Sequence, residues 1–313
     1  MSLYPASADP PLVIGLGEIL WDIFPDGRSF GGAPANFACC AGALGAGSVT
    51  AGIISAVGHD DLGREALQSL TEHGVDTDGV VQTDRPTGRV IVSLDAAGGA
   101  TYEFASDAAW DALMWTSAFT ELARRTKALS FGTLCQRSEV SRQTVTRFLK
   151  SVDEDCIRIL DVNLRPPHWS EQIILQSLEL ANVLKCNDEE LSVLGSLLEC
   201  SGDETDMLRT IVFDWKLQLA VLTRGSAGSL IIDRTGQVSE RSAESASVVD
   251  TVGTGDAFNA AVAIGMLNRV PLSRLHEWAG QVASFVCSSS GGTPSIPASL
   301  TFAHLFPREY PEQ

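Results

Sequence analysis

Asp250-Thr-Val-Gly-Thr-Gly-Asp256-Ala-Phe258 runs straight into an apolar segment whose spacing predicts a helix over 257–267. Gly253 and Gly255 let the backbone turn tightly, so that the N–H groups from Gly253 through Thr254 to Asp256 are presented together. The helix that follows aims the positive end of its dipole at the same point. The combination reads as an anion hole. Asp256 stands at its edge, where a carboxylate is a poor neighbour for phosphate unless it serves as a base toward an incoming hydroxyl. The alternative is that Asp256 caps the helix. The trap has to be local, because the chain as a whole repels anions. Its 313 residues carry 22 Lys and Arg against 39 Asp and Glu, a formal net charge of −17. Such a surface disfavours nucleic acid and anionic membranes as partners.

Three more polar clusters stand beside apolar runs. In Phe30-Gly-Gly-Ala-Pro-Ala-Asn36, Gly31 and Gly32 permit close approach of a ligand, and Pro34 suits a first helical turn. The Asn36 amide there can donate to and accept from sugar hydroxyls, or simply be a polar residue in a turn. Asp161-Val-Asn-Leu-Arg165-Pro-Pro-His-Trp169 follows a buried strand, and ligands of open α/β sheets sit at the carboxyl ends of strands. Arg165 can clamp a phosphate there or form a surface ion pair. Lys185-Cys-Asn-Asp-Glu-Glu190 also ends a strand. Asn187 and Glu190 share one face of a helical turn. An amide with a carboxylate suits a partly hydrated Mg²⁺, and equally a reciprocal helix cap.

Strand-like and helix-like segments alternate along the chain. Apolar runs at 12–16, 49–57, 128–131, 157–162, 183–185 and 219–223 each read as strands, with helix-period segments after them. Helices are expected over 35–44 and 60–73. This rhythm argues for a mostly parallel sheet covered on both faces. Two stretches break it. Residues 22–30 carry Pro25, Gly27 and Arg28 between strand-like flanks. Residues 88–104 alternate apolar and polar around Gly98-Gly99, a β-hairpin pattern. Together they are expected to form a small projecting sheet, either a lid that excludes water or two surface hairpins.

Other classes are excluded. None of the four lysines follows a glycine, so there is no P-loop lysine. Gly15-Leu-Gly17 opens like a dinucleotide fingerprint, but Leu20 takes the third glycine's place. No His and Cys spacing suits zinc, and no G-x-S-x-G elbow occurs. No apolar run is long enough to span a membrane. No secretory signal is visible, and the seven scattered cysteines read as reduced thiols of a cytoplasmic protein.

Taken together the four polar sites resemble the ribokinase-like carbohydrate kinases, the PfkB family. Gly31-Gly32 through Asn36, with Gly58-His-Asp60 and Gly63, is similar to that family's first signature. Asp250 to Asp256 is similar to the second, in which alanine is commoner at the position of Thr254. The likeness runs from about Val13 to Ser295. Within the family, Glu18-Ile-Leu-Trp-Asp22-Ile-Phe-Pro25, Ala109-Trp-Asp111 and Phe131-Gly-Thr133 resemble bacterial fructokinases.

The resemblance implies an α/β, ribokinase-like fold: one kinase domain over 1–313, with a lid from about 20–31 and 86–106. It implies ATP as donor, Mg²⁺, K⁺, and a homodimer formed through the lid. Asp22, Gly31, Gly32 and Asn36 would hold the sugar. Lys185, Asn187 and the loop with Thr223, Gly225 and Gly228 would hold the nucleotide, and Glu190 would hold Mg²⁺ through water. Asp250, Val252, Gly291 and Ser295 would hold the monovalent cation. Asp256 would be the base, with Gly253, Thr254, Gly255 and Arg165 taking up charge on the transferring phosphoryl group. The expected acceptor is a neutral ketohexose, D-fructose. In kinases of 2-keto-3-deoxygluconate the resemblance leads one to expect an arginine after paired tyrosines near the end of the lid hairpin. Here that segment reads Tyr102-Glu-Phe-Ala-Ser106, and no Lys or Arg occurs between Arg89 and Arg124. A sugar-acid kinase, a ribokinase or nucleoside kinase, and a non-catalytic sugar-binding regulator are the alternatives.

Overall fold

The computed structural model describes residues 9–94, 100–244 and 247–307. The Gly98-Gly99 pair of the hairpin lies outside them. The first third of the chain contains β1 (Leu12–Leu16), β2 (Leu20–Phe24), β3 (Gly27–Gly31), α1 (Ala33–Gly45), β4 (Thr50–Gly58), α2 (Asp61–Glu72), β5 (Val80–Thr83), β6 (Gly88–Leu94) and β7 (Ala100–Phe104). The middle runs through α3 (Ser117–Arg125), β8 (Thr126–Phe131), α4 (Glu139–Ser151), β9 (Ile157–Asp161), α5 (Glu171–Leu180), β10 (Val183–Asn187) and α6 (Asp188–Leu197). The last part holds α7 (Glu204–Asp214), β11 (Leu219–Thr223), β12 (Ser229–Asp233), β13 (Val238–Arg241), α8 (Thr254–Leu267), α9 (Leu272–Cys287) and α10 (Phe302–Leu305).

Nine strands form the central sheet in the order β13-β12-β11-β10-β9-β8-β1-β4-β5. Pairing is parallel from β11 through to β5, and antiparallel only at β11-β12-β13. All five residues of β1 are buried, without alternation, because helices cover both faces of the sheet. α8 is apolar on nearly every side, and its Ala257, Ala260, Ala261 and Ala263 are fully enclosed. Small residues let it lie close to α1 and α9, so the anion-hole segment is anchored in the core.

Two expectations are corrected. The segment after β11 is a hairpin, not a helix: Gly225 and Gly228 take positive φ and turn the chain back into β12. The helix expected over 257–267 begins earlier, at Thr254, behind Gly253 in the left-handed region. Asp256 is therefore the third residue of the helix rather than a residue before it.

The two stretches that interrupt the rhythm form a second sheet, ordered β3-β2-β6-β7. On one face Leu20, Val90 and Val92 are buried, with Phe24 and Phe104 packed against them. Asp22 pairs in register with Val90, which puts it on that same face. On the other face Trp21 meets Phe30 edge to face at 5.6 Å, and its Nε1 donates to Leu62 O at 3.0 Å.

Candidate active site

Two cavities open along the carboxyl ends of the strands. The larger, about 880 Å³, is lined by Thr223, Gly225 and Gly228 of the β11-β12 turn, by Thr254 and Gly255 of α8, and by Ala283, Ser284 and Cys287 of α9. The smaller, about 380 Å³, is lined by Asp22, Gly32, Asn36, Arg165, Gly253 and Asp256, with Val90, Tyr102 and Phe104 of the second sheet. Lys185, Asn187, Thr251 and Gly255 line both, so the cavities meet at the N-terminus of α8.

The N-terminus is built for close approach. A Cβ on Gly253, at φ 75°, would lie 2.5 Å from Gly292 Cα. A Cβ on Gly255 would lie 2.9 Å from Lys185 Nζ, which brings a cation directly under the anion hole. Thr254 Oγ1 is buried without a partner among the described residues. Asp256 does not cap the helix. Its Oδ2 accepts from Asn36 Nδ2 at 2.9 Å, joining the two signatures across the chain. Burial, with the negative charge of Asp161 added, pushes the Asp256 carboxyl up to about 7 against the pull of Asn36 and Lys185. Asp22 is pushed up to about 6 by burial, opposed by Arg165.

Lys185 is buried and donates to Asp161 Oδ1 at 3.0 Å and Oδ2 at 3.3 Å. Asn259, one turn along α8 from Asp256, also donates to Asp161 Oδ2, at 2.9 Å. Burial pulls the Lys185 ammonium down, but the surrounding carboxylates of Asp161, Glu190 and Asp256 outweigh it and raise its pKa. Asp161 and Asn259 carry no role in the sequence reading. The signal for Asp161 was an acid at the carboxyl end of a mostly apolar strand, and for Asn259 a polar residue in an alanine-rich helix.

Asn187 and Glu190 form the reciprocal cap. Asn187 Oδ1 accepts from Glu190 N at 2.8 Å, and Glu190 Oε2 accepts from Asn187 N at 2.9 Å. Glu190 Oε1 accepts from Leu164 N at 2.9 Å. Each carboxylate oxygen keeps a second lone pair. Among the described residues no three His, Cys, Asp or Glu side chains form a metal cage. This donor set fits a Mg²⁺ ion that keeps most of its waters, not a closed protein site. Asp250 ties two segments together: Oδ1 accepts from Val252 N and Oδ2 from Gly291 N, both at 3.0 Å. The Asp250 carboxylate and the backbone carbonyls of this turn are hard oxygen ligands, the kind an alkali cation takes. Ser295 is exposed on the following loop. Arg165 is exposed at the cavity edge and forms no ion pair among the described residues, so the surface-pair alternative is not what the structure contains. Glu18, unassigned by the sequence reading, also lines the smaller cavity.

Relatives are similar over most of the chain's length. A sugar kinase of Pyrococcus horikoshii is 28% identical over 301 residues, covering 90% of this chain and 91% of the relative. Its crystal structure in complex with ATP superposes with a TM-score of 0.76, covering 90% of this chain and 94% of that one. The fructokinase of Escherichia coli is 26% identical, covering 90% and 95% of the two chains. The 5-dehydro-2-deoxygluconokinase of Geobacillus kaustophilus is 26% identical, covering 85% and 81%. No helix among the described residues is long and apolar enough to cross a membrane. The model of the pfkB family carbohydrate kinases matches residues 26–299, nearly the whole chain, and the protein belongs to that family.

Proposed function

We propose that this kinase transfers the γ-phosphate of ATP to the primary hydroxyl of a neutral ketohexose, D-fructose. The observation that carries the reading is the meeting of the two cavities at Lys185, Asn187, Thr251 and Gly255, with Asp256 lining the smaller one beside it. The larger cavity takes the nucleotide, with Thr223, Gly225 and Gly228 along its phosphates and Lys185 and Asn187 at the junction. The smaller takes the sugar, held by Asp22, Asn36 and the backbone of Gly31 and Gly32. The single domain would close over it with the second sheet, residues about 20–31 and 86–106, as a lid, and that sheet would carry a homodimer contact. ATP as donor is supported by the ATP complex of the P. horikoshii relative, and fructose by the E. coli fructokinase.

The chemistry follows from alignment and charge. Asp256 takes the proton of the primary hydroxyl as its oxygen attacks the γ-phosphorus, and ADP leaves. The N–H groups of Gly253, Thr254, Gly255 and Asp256 receive the developing negative charge, with Lys185 beneath and Arg165 above. Glu190 would hold Mg²⁺ through water, and the ion would neutralise charge on the phosphates. Asp250, Val252, Gly291 and Ser295 would hold K⁺ beside the glycine turn and keep it rigid.

A sugar acid is the second reading, favoured by the Arg165 guanidinium at the acceptor cavity, which forms no ion pair among the described residues, since a guanidinium fork matches a carboxylate. The test is kcat/KM for fructose against 2-keto-3-deoxygluconate at saturating ATP and Mg²⁺. A higher value for fructose is expected. A higher value for the sugar acid would overturn the acceptor while leaving the base and the phosphate site standing.

A further inference from the structure

Glu18 lies in the turn between β1 and β2, on the wall of the smaller cavity, among Asp22, Asn36, Asp161 and Asp256. Only 3% of it is exposed. The backbone N–H groups of Glu18 and Ala33 lie against its carboxyl. Oε2 is nevertheless fully enclosed and has no hydrogen-bond partner among the described residues. Asn36 Oδ1, lining the same cavity, is in the same state. Buried acceptors without donors are costly and rare, and both belong to residues on the wall of one cavity, where a small rotation of the side chain would bring each to a ligand's donor.

We infer that Glu18 is a specificity-determining residue of the acceptor site: its Oε2 accepts a hydrogen bond from an acceptor hydroxyl other than the one phosphorylated. This deepens the proposed function and rests on the smaller cavity being the acceptor site. The chemistry selects a class. Glu18 Oε2, Asn36 Oδ1 and the Asp22 carboxyl are all acceptors, so the group they match is a run of hydroxyls. A ligand carboxylate would face Glu18, Asp22, Asp161 and Asp256 at once, against Arg165 at the cavity edge and a Lys185 already engaged by Asp161. Burial pushes the Glu18 carboxyl up to about 7, opposed by the Ala33 N–H and Arg165. A hydroxyl donor acts in the same direction as those two and favours the ionised form.

The test pairs a protein change with a ligand change. Glu18→Gln keeps the side-chain length and replaces one acceptor by a donor. Glu18→Asp keeps the carboxyl and withdraws it, which covers the case in which Glu18→Gln does not fold. Each is assayed with fructose and with its monodeoxy analogues that retain the reacting hydroxyl. In the wild type one analogue is expected to lose about tenfold or more in kcat/KM, the scale of one hydrogen bond to a charged group. In either variant fructose loses a similar factor through its KM, that analogue loses nothing further, and the KM for ATP holds. Equal losses on every analogue in wild type and variant would overturn the inference, because a purely structural Glu18 cannot be coupled to one hydroxyl. A wild type that ignores fructose but phosphorylates another sugar overturns the fructose reading alone, and the same cycle is then read with deoxy analogues of that sugar.

Discussion

In the proposed reaction Asp256 stands where a base is needed, and it stands where a charge is expensive. Its carboxyl is pushed up to about 7 by burial and by Asp161, which fits a proton acceptor working near neutral pH. A base acts only when unprotonated, so kcat/KM for the acceptor is expected to fall as pH drops below about 7. The same shift acts on stability with a definite sign. Folding raises the pKa of Asp256 above its ordinary 3.8, so the folded state holds the proton more tightly. The stability this gives is present below about pH 4 and is lost as pH rises through about 7. Glu18 and Asp22 act in the same direction. Urea unfolding of wild type and Asp256→Asn between pH 4 and 8 reads this directly. The variant is expected to gain on the wild type as pH rises, and a constant difference would show that the carboxyl is not perturbed. Of these residues, Asp256, Asn36 and Lys185 were legible in the sequence because glycines or a strand end marked their places. Glu18 was not, because burial and a missing donor are properties of the assembled cavity and not of a local pattern.

Between elements, the second sheet is fastened to the body beyond β7 by a buried arginine, in addition to the Trp21–Leu62 hydrogen bond. Arg137 donates from Nε to Asp111 Oδ1 at 2.8 Å and from Nη2 to Asp111 Oδ2 at 2.7 Å. The same Nη2 donates to Ala105 O, just beyond β7, and the guanidinium lies 4.1 Å from the Trp110 ring centroid. Both side chains are at least nine-tenths buried. Arg137→Ala leaves the Asp111 carboxylate buried and unpaired, and is expected to cost about 3–5 kcal/mol in denaturant unfolding. It should also raise the acceptor KM, because Phe104, one residue from the anchored carbonyl, lines the acceptor cavity. A loss under about 1 kcal/mol, the range of an exposed pair, would contradict this. The strands and helices around the site were readable because a two-sided parallel sheet writes itself as unbroken apolar runs. β5 and β13 were not: each is a four-residue edge strand, at least half polar, with no buried run to mark it. The turn after β11 was misread as leading to a helix because Ser229–Asp233 is too short and apolar to separate strand from helix by period.

At the scale of the whole molecule, a chain of net charge −17 has to bind a polyanion. In the proposed reading it does so by concentrating its few usable positive groups where the two cavities meet: the N-terminus of α8, Lys185 beneath Gly255, and Arg165 at the edge. The loop that packs on Gly253 is tied to this centre by Asp250, whose oxygens are shared between Val252 and Gly291. A monovalent cation there would hold the glycine turn in its anion-binding form. Turnover is accordingly expected to be higher in K⁺ than in a bulky organic cation of equal concentration, and equal rates would refute the cation site. The family, and hence the whole architecture, was legible because two glycine signatures more than two hundred residues apart can only be useful together. The Asn36–Asp256 hydrogen bond is that junction made physical. The most direct measurement is ADP release with ATP, Mg²⁺ and fructose by wild type and Asp256→Asn, with ATP binding followed in the same preparations. A folded variant that binds ATP normally and whose kcat falls by about 10²-fold or more is the expected result. Wild-type turnover by folded Asp256→Asn would contradict the assignment of the base.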